Sequence, residues 1–197
     1  MVYISSGGSV YGMQPYRATE LSNPSPISAY GLSKYTVENY LRLYHHNFNL
    51  SYDILRLSNV YGVGQRSTKP QGVISAIAQA FLRKESFKIW GDGTAKKDYL
   101  YIDDLTEALI RVLSKEASND TFNIAAGVSY SLNEVVSLLE SNFGHSIKLE
   151  KANPYDFDVQ TVLIDNSKFV KEYEWSPHVC IETGIARAVD WFKSSEE

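Results

Sequence analysis

The sequence predicts an α/β protein built on a parallel sheet, and two observations carry that prediction. The apolar strand Val2-Tyr3-Ile4, a helical stretch over about residues 28–47 and the strand at 52–57 follow one another in βαβ order. That order within one sheet implies a right-handed crossover and a parallel strand pair. Both strands also run into small-residue loops, Ser5-Ser6-Gly7-Gly8-Ser9 and Ser58-Asn59-Val60-Tyr61-Gly62-Val63-Gly64. Parallel α/β sheets bind ligands beyond the carboxyl ends of their strands, where these two loops fall.

The elements follow in order. Small residues after the first strand let a backbone approach a ligand closely, although Ser and Gly there equally suit an ordinary turn. Residues 13–29 carry Pro15, Pro24 and Pro26 and read as a loop. In the first helix Val37 and Leu41 continue the face of Tyr30 and Lys34. A second helix spans 73–83, with Ile74, Ile77, Ala78 and Phe81 on one face. The strand 87–90 leads into the turn Gly91-Asp92-Gly93-Thr94, and residues 99–102 are extended. A helix opens at Asp103-Asp104, two aspartates suited to capping its positive end. Its predicted buried stripe is Leu105, Ala108, Leu109, Val112 and Leu113. A strand at 121–124 precedes the capping box Ser131-Leu132-Asn133-Glu134, which opens a helix to about Phe143. Short strands at 147–149 and 162–164, a short helix capped by Asp165, and a final helix from about Glu182 to Lys193 burying Ile185, Val189 and Phe192 complete the chain.

Composition narrows the function classes. The 197 residues are 44% hydrophobic and 21% charged, enough apolar material for a substantial core. A net charge of −4, a pI near 5.6 and no basic run argue against a nucleic-acid or anionic-membrane surface. No apolar run approaches a membrane span, and the N-terminus lacks the basic lead and long apolar core of a signal peptide. Cys180 is the single cysteine, which excludes an intramolecular disulfide and fits a reducing, cytoplasmic setting. His45-His46 lack a third ligand at metal spacing, so no metal site is predicted.

The chemically informative stretch is Tyr30-Gly31-Leu32-Ser33-Lys34. Four residues apart on a helix, the phenol and the ammonium share a face. A phenol ordinarily keeps its proton to about pH 10, and an adjacent fixed cation favours the phenolate. Such a pair can serve proton transfer near neutral pH, but the spacing alone is common on solvated helices.

Company makes it specific. With Ser5-Ser6-Gly7-Gly8-Ser9-Val10-Tyr11-Gly12, Ser28-Ala29-Tyr30-Gly31-Leu32-Ser33-Lys34, Leu55-Arg56-Leu57-Ser58-Asn59-Val60-Tyr61-Gly62, Gly91-Asp92-Gly93 through Lys97-Asp98-Tyr99, Tyr101-Ile102-Asp103-Asp104, Leu163-Ile164-Asp165-Asn166-Ser167-Lys168 and Trp175-Ser176-Pro177 in this order, the chain resembles the extended short-chain dehydrogenase/reductase family. Within it, the chain is most similar to NAD-dependent sugar-nucleotide epimerases of the UDP-glucose 4-epimerase type. The resemblance implies the C-terminal part of a Rossmann-type parallel-sheet domain, residues 1–65 and 98–127. It also implies a small α/β substrate-binding lobe, residues 66–97 and 128–197.

The resemblance also implies roles. Tyr30 would be the acid/base and Lys34 its partner, which also holds the nicotinamide ribose of NAD. Ser5, Ser6, Leu57 and Ser58 would border the cofactor with them. A loop hydroxyl should orient the sugar; Gly7 stands at the usual position, leaving Ser9, which is favoured, or Ser6. Tyr11, Asn59, Gly72 and Val73 would face the nucleotide sugar and its diphosphate, with Trp90 near the base.

Departures from the family pattern qualify this. Lys97 stands where the family usually has Arg, and Tyr155-Asp156-Phe157-Asp158 where it often has Arg-x-x-Asp, so Lys97, Tyr155 and Asp158 form an altered clamp. A lysine neutralises phosphate without the bidentate fork of arginine. Val162 occupies a position that often separates plain from N-acetylated sugars, and equally reads as an ordinary strand valine. No Gly-x-x-Gly-x-x-Gly turn is present, so the chain is expected to begin near the fifth strand of the full sheet. The expected activity is C4 epimerisation of a UDP-hexose or UDP-N-acetylhexosamine by an enzyme of which this is a fragment, homodimeric when intact. A keto-sugar reductase or dehydratase is the alternative enzyme; a non-catalytic remnant, or half of a split protein needing an N-terminal partner, is the alternative of another class.

Overall fold

The structure is a computed structural model that describes residues 1–14, 16–66, 72–153 and 163–195. Strand β1 (Val2–Ser6) runs directly into a one-turn helix α1 (Gly7–Tyr11), where the sequence predicts only a turn. Gly7 allows it: a side chain there would strike Ile164 and press on the Leu57 carbonyl. Helix α2 (Ala29–Phe48) starts at Ser28, whose hydroxyl accepts from the Gly31 amide at 3.1 Å. It stops at Asn49, which takes a left-handed conformation with φ 54°. Strand β2 (Asp53–Leu57) is buried along its whole length, as a strand covered on both faces must be.

The second small-residue loop is in fact a strand, β3 (Asn59–Tyr61). There follow α3 (Val73–Arg83), β4 (Phe87–Trp90), β5 (Lys96–Tyr101), α4 (Ile102–Leu113), β6 (Asp120–Ile124), β7 (Ser129–Ser131), α5 (Leu132–Phe143), β8 (Leu149–Ala152), α6 (Ser167–Tyr173) and α7 (Ile181–Ser194).

Strands β1, β2 and β6 form a parallel sheet in that order, with Ile4 opposite Leu55 and Leu55 opposite Phe122. The predicted parallel βαβ unit is therefore present, and β1 is an edge strand. A second sheet has the order β3-β5-β7, with β3 parallel and β7 antiparallel to β5, and β4 pairs with β8 in parallel.

Two large cores hold these layers, and a smaller cluster of Leu41, Tyr52 and Ile54 lies under α2. The first joins Leu55, Leu57, Phe122 and Ile124 of the sheet to Leu105, Ala108 and Val112 of α4, and to Phe169, Tyr173 and Trp175. The boundaries read from the sequence put the last three in the lobe, yet they pack on this sheet. Phe169 stacks on Tyr173 with centroids 4.5 Å apart. The second core gathers Ile74, Ile77 and Phe81 of α3, Val135 and Leu139 of α5, and Ile185, Val189 and Phe192 of α7 around Tyr61, Tyr99 and Tyr101. The apolar faces predicted for α3 and α7 are those observed.

Other expectations change. Val37 is 38% exposed and Leu113 70% exposed, so the buried faces of α2 and α4 are narrower than the apolar pattern suggests. Asp104 does not cap α4; its carboxylate accepts from the amides of His178 and Val179 at 2.9 and 3.1 Å. Asp103 pairs with Arg187. Asn166, not Asp165, is the N-cap of α6, while Asp165 accepts from the Ser167 amide. The last short strands also move: 147–149 becomes β8, and Ile164 forms an isolated bridge to Ala18, while Val162 lies outside the described residues.

Candidate active site

The site is built where α1 and α2 meet the end of β1. Gly31 packs so closely on the Ser9 carbonyl that a Cβ would collide with it. The contact brings Ser9 beside the first turn of α2, next to Tyr30. One turn further, the Lys34 ammonium donates to the Ile4 carbonyl at 3.0 Å. It also lies 5.7 Å from the centre of the Tyr30 ring and 5.2 Å from that of Tyr3. Tyr30 is 50% exposed. Burial, then the neighbouring Glu38 and Tyr30, push the Tyr3 phenol above its ordinary value.

Beneath this surface lies a buried polar layer that the sequence did not reveal. The Glu38 carboxylate accepts from the Ser5 hydroxyl at 2.6 Å and from Arg56 Nε and Nη2 at 3.0 and 2.6 Å. Arg56 in turn lies 4.7 Å over the Tyr11 ring. The Tyr11 hydroxyl donates to Asn123 Oδ1 at 2.8 Å, and burial pushes it above the usual tyrosine value. The signal for this layer was Arg56 itself. A charge inside an apolar, fully buried strand requires a buried partner.

The predicted site residues sort by this geometry. Tyr30 and Lys34 lie together on one face of α2, and the Ser9 backbone packs against the neighbouring Gly31. Ser6 is half-buried at the start of α1. Ser5 and Tyr11 do not present side chains to a ligand: both are buried, with their hydroxyls engaged by Glu38 and Asn123. Leu57 is also a core residue. Ser58 stands beside Asp98, whose carboxylate accepts from the amides of Ala126 and Gly127 at 2.9 and 2.7 Å. Burial pushes the Asp98 carboxyl above its ordinary range, against these donors. Asn59 is exposed on β3 and donates to the Asp98 carbonyl at 2.9 Å, and Lys97 adjoins it on β5, opposite Tyr130. Gly72, at φ 79°, precedes Val73 at the N-terminus of α3. Trp90 is partly exposed on β4, with Lys88 Nζ 5.9 Å over its ring. Tyr155 and Asp158 lie outside the described residues.

The donors present fit one end of a dinucleotide. A cation and a half-exposed phenol on one helix face, beside a hydroxyl-bearing turn, suit a nicotinamide ribose and a neighbouring sugar hydroxyl. The sequence holds no glycine-rich strand–turn–helix for the pyrophosphate.

The parallel β1-β2-β6 sheet with α2 packed on it makes this a Rossmann-like α/β protein. Residues 1–125 match the NAD dependent epimerase/dehydratase family, and the chain belongs to it. It is 31% identical to the UDP-glucose 4-epimerase of Mycolicibacterium smegmatis, covering 100% of this chain and 63% of that protein. Superposition on the Thermotoga maritima UDP-glucose 4-epimerase, solved with UDP-glucose, gives a TM-score of 0.92 at 33% identity, covering 100% of this chain and 64% of the other. The UDP-glucose 4-epimerase of Thermus thermophilus, solved with NAD, gives 0.92 at 29% identity, over 98% and 64%. Relatives named as a dTDP-4-dehydro-6-deoxyglucose reductase and as dTDP-glucose 4,6-dehydratases match as well. The chain thus spans less than two thirds of the length of these relatives.

Proposed function

We propose that this chain carries the proton-transfer and substrate-binding part of an NAD-dependent nucleotide-sugar 4-epimerase. The observation that carries the reading is the pairing of Tyr30 and Lys34 on one face of α2, with the Ser9 backbone packed on the same turn at Gly31. NAD, when bound, would supply reversible hydride acceptance at the sugar carbon. Tyr30 takes the proton from the 4-hydroxyl and returns it after the keto sugar has turned over. Lys34 holds the ribose and stabilises the phenolate electrostatically. Ser9, rather than Ser6, orients the sugar hydroxyl, because its segment is the one pinned against Gly31.

Asn59, Lys97 and the N-terminus of α3 at Gly72-Val73 hold the diphosphate, and Trp90 lies along the base. Tyr155 and Asp158 belong to the same clamp. Residues 1–65 and 98–127 form the cofactor part and the remainder the substrate lobe, with α6 docked onto the former. The intact protein is a homodimer in this reading, supported by the exposed stripe Tyr40, Tyr44 and Phe48 on α2. A cytoplasmic location accords with the single cysteine. Among the described residues, no helix is long and apolar enough to cross a membrane.

The reductase-named relative favours a second reading, reduction of a keto sugar. Dehydration is less favoured, since Gly7-Gly8-Ser9 offers no acidic pair. The test is to fuse residues 1–197 to a dinucleotide-binding N-terminal half from a family member and supply nucleotide sugar with NADPH. Epimerisation leaves NADPH unconsumed; stoichiometric consumption would establish the reductase.

A further inference from the structure

We propose that Glu38 is a positioning residue for the Tyr30–Lys34 pair, fixing how far along β1 and β2 the α2 helix sits. Gly31, packed on the Ser9 carbonyl, sets the N-terminal end of the helix, and Glu38 is the charged contact that sets it over the sheet. Helix α2 has 20 residues, yet those buried are Gly31, Glu38 and Leu41. Leu41 packs on Tyr52 and Ile54, a hydrophobic contact that is less directional than a charged hydrogen bond.

Directional contacts remain. Tyr30, Lys34 and Glu38 recur every four residues and share one face. At the C-terminal end of that face, the Glu38 carboxylate takes the Arg56 fork in two bonds and the Ser5 hydroxyl in a third. Ser5 and Arg56 are register partners on β1 and β2, so one carboxylate spans both strands. Arg42, on the next turn, adds a longer contact to Glu38 Oε2 at 3.4 Å and reaches Thr121 of β6 at 3.1 Å. A fork on a carboxylate fixes both distance and angle. A buried ion pair of this kind supplies geometric definition more than net stability. One turn toward the N-terminus, Lys34 meets the Ile4 carbonyl, adjacent to Ser5. A helix released at Glu38 would carry Lys34 and Tyr30 off their marks together.

This inference rests on reading Tyr30 and Lys34 as the reacting pair, but it is tested without activity, so its failure leaves that reading intact. Isotope-labelled chain 1–197 is compared with E38L/R56M, which keeps the buried volume and drops both charges, and with E38Q. The readout is the ε-methylene of Lys34, whose ammonium lies 5.2 and 5.7 Å from the Tyr3 and Tyr30 ring centres, so that an upfield shift and Overhauser contacts to Tyr3 are expected. The expected result is a cooperatively melting E38L/R56M in which the Lys34 ring-current shift collapses toward that of solvent-exposed lysines and the Tyr3 contact is lost. E38Q should lie between the two. An unchanged Lys34 shift and contact in folded E38L/R56M would overturn the proposal, as would equal displacement of the distant Lys193. Should the double variant not fold, an unchanged Lys34 in E38Q overturns it.

Discussion

The Lys34 ammonium donates to an Ile4 carbonyl that points away from the rest of the sheet. The Met1 carbonyl accepts from the Asp53 amide at 2.8 Å, so residues 1, 3 and 5 face β2. Carbonyls alternate along a strand, so that of Ile4 faces the free edge of β1. The lysine proposed for catalysis therefore stands at the outer margin of β1 among the described residues.

NAD affinity follows from that placement. In the proposed reading Tyr30 and Lys34 serve the nicotinamide end, but a glycine-rich turn and helix for the pyrophosphate are not in the sequence. Isothermal titration of the chain with NAD is expected to show binding weaker than micromolar. Micromolar binding would mean that residues 1–197 build a pyrophosphate site of a different kind.

Gly31→Ala should damage both fold and site. The added methyl strikes the Ser9 carbonyl, which is backbone and cannot rotate away. Overpacking of this kind costs about 1–3 kcal/mol. Denaturant melting should register the loss, and the Ser9 amide should shift in an NMR spectrum while the Ser131 amide does not.

The α5 capping box gives a pH-dependent prediction. Ser131 accepts from the Glu134 amide, and Glu134 accepts from the Ser131 hydroxyl and amide, which hold its carboxyl below the ordinary glutamate value. A lowered carboxyl contributes stability above its unfolded value, and that contribution disappears as pH falls through the folded one. Ser131→Ala should cost about 1 kcal/mol near neutrality. The gap between variant and wild type should narrow on acidification below about pH 4.5, the region of an unperturbed glutamate. Urea melts at several pH values would show it.

That box was legible in the sequence because its bonds close within four residues. The faces of α3 and α7 were legible for a similar reason, since periodicity alone marks Ile74, Ile77 and Phe81. Asp104 reads wrongly as a cap because its true donors, His178 and Val179, are more than seventy residues away. The same holds for Glu38, which occupies a position on α2 where an apolar residue would be expected. Its partner, Arg56, is assigned only by the parallel register of β1 and β2. The loop after β2 hid a strand because β3 pairs with β5 some forty residues on. Of the proposed site, the placement of Tyr30 and Lys34 on one helix face was readable from their spacing. Ser5, Tyr11 and Leu57 were not, because burial depends on packing across the sheet.

Lys97 tests the substrate side. If it neutralises a phosphate, Lys97→Ala should weaken UDP binding by about tenfold or more, the scale of one charge-assisted hydrogen bond at roughly 1.5–3 kcal/mol. Lys97→Arg should match or exceed wild-type affinity by restoring the fork. Equal affinities for all three proteins would remove Lys97 from the clamp.

The central claim is that Tyr30 moves the proton in nucleotide-sugar epimerisation. The direct measurement is UDP-glucose/UDP-galactose interconversion by residues 1–197 joined to a family cofactor half, as wild type and as Tyr30→Phe. The account predicts turnover in the wild type, and a fall of about 10²–10⁴-fold in the variant with UDP binding unchanged. Equal rates in the two would contradict it.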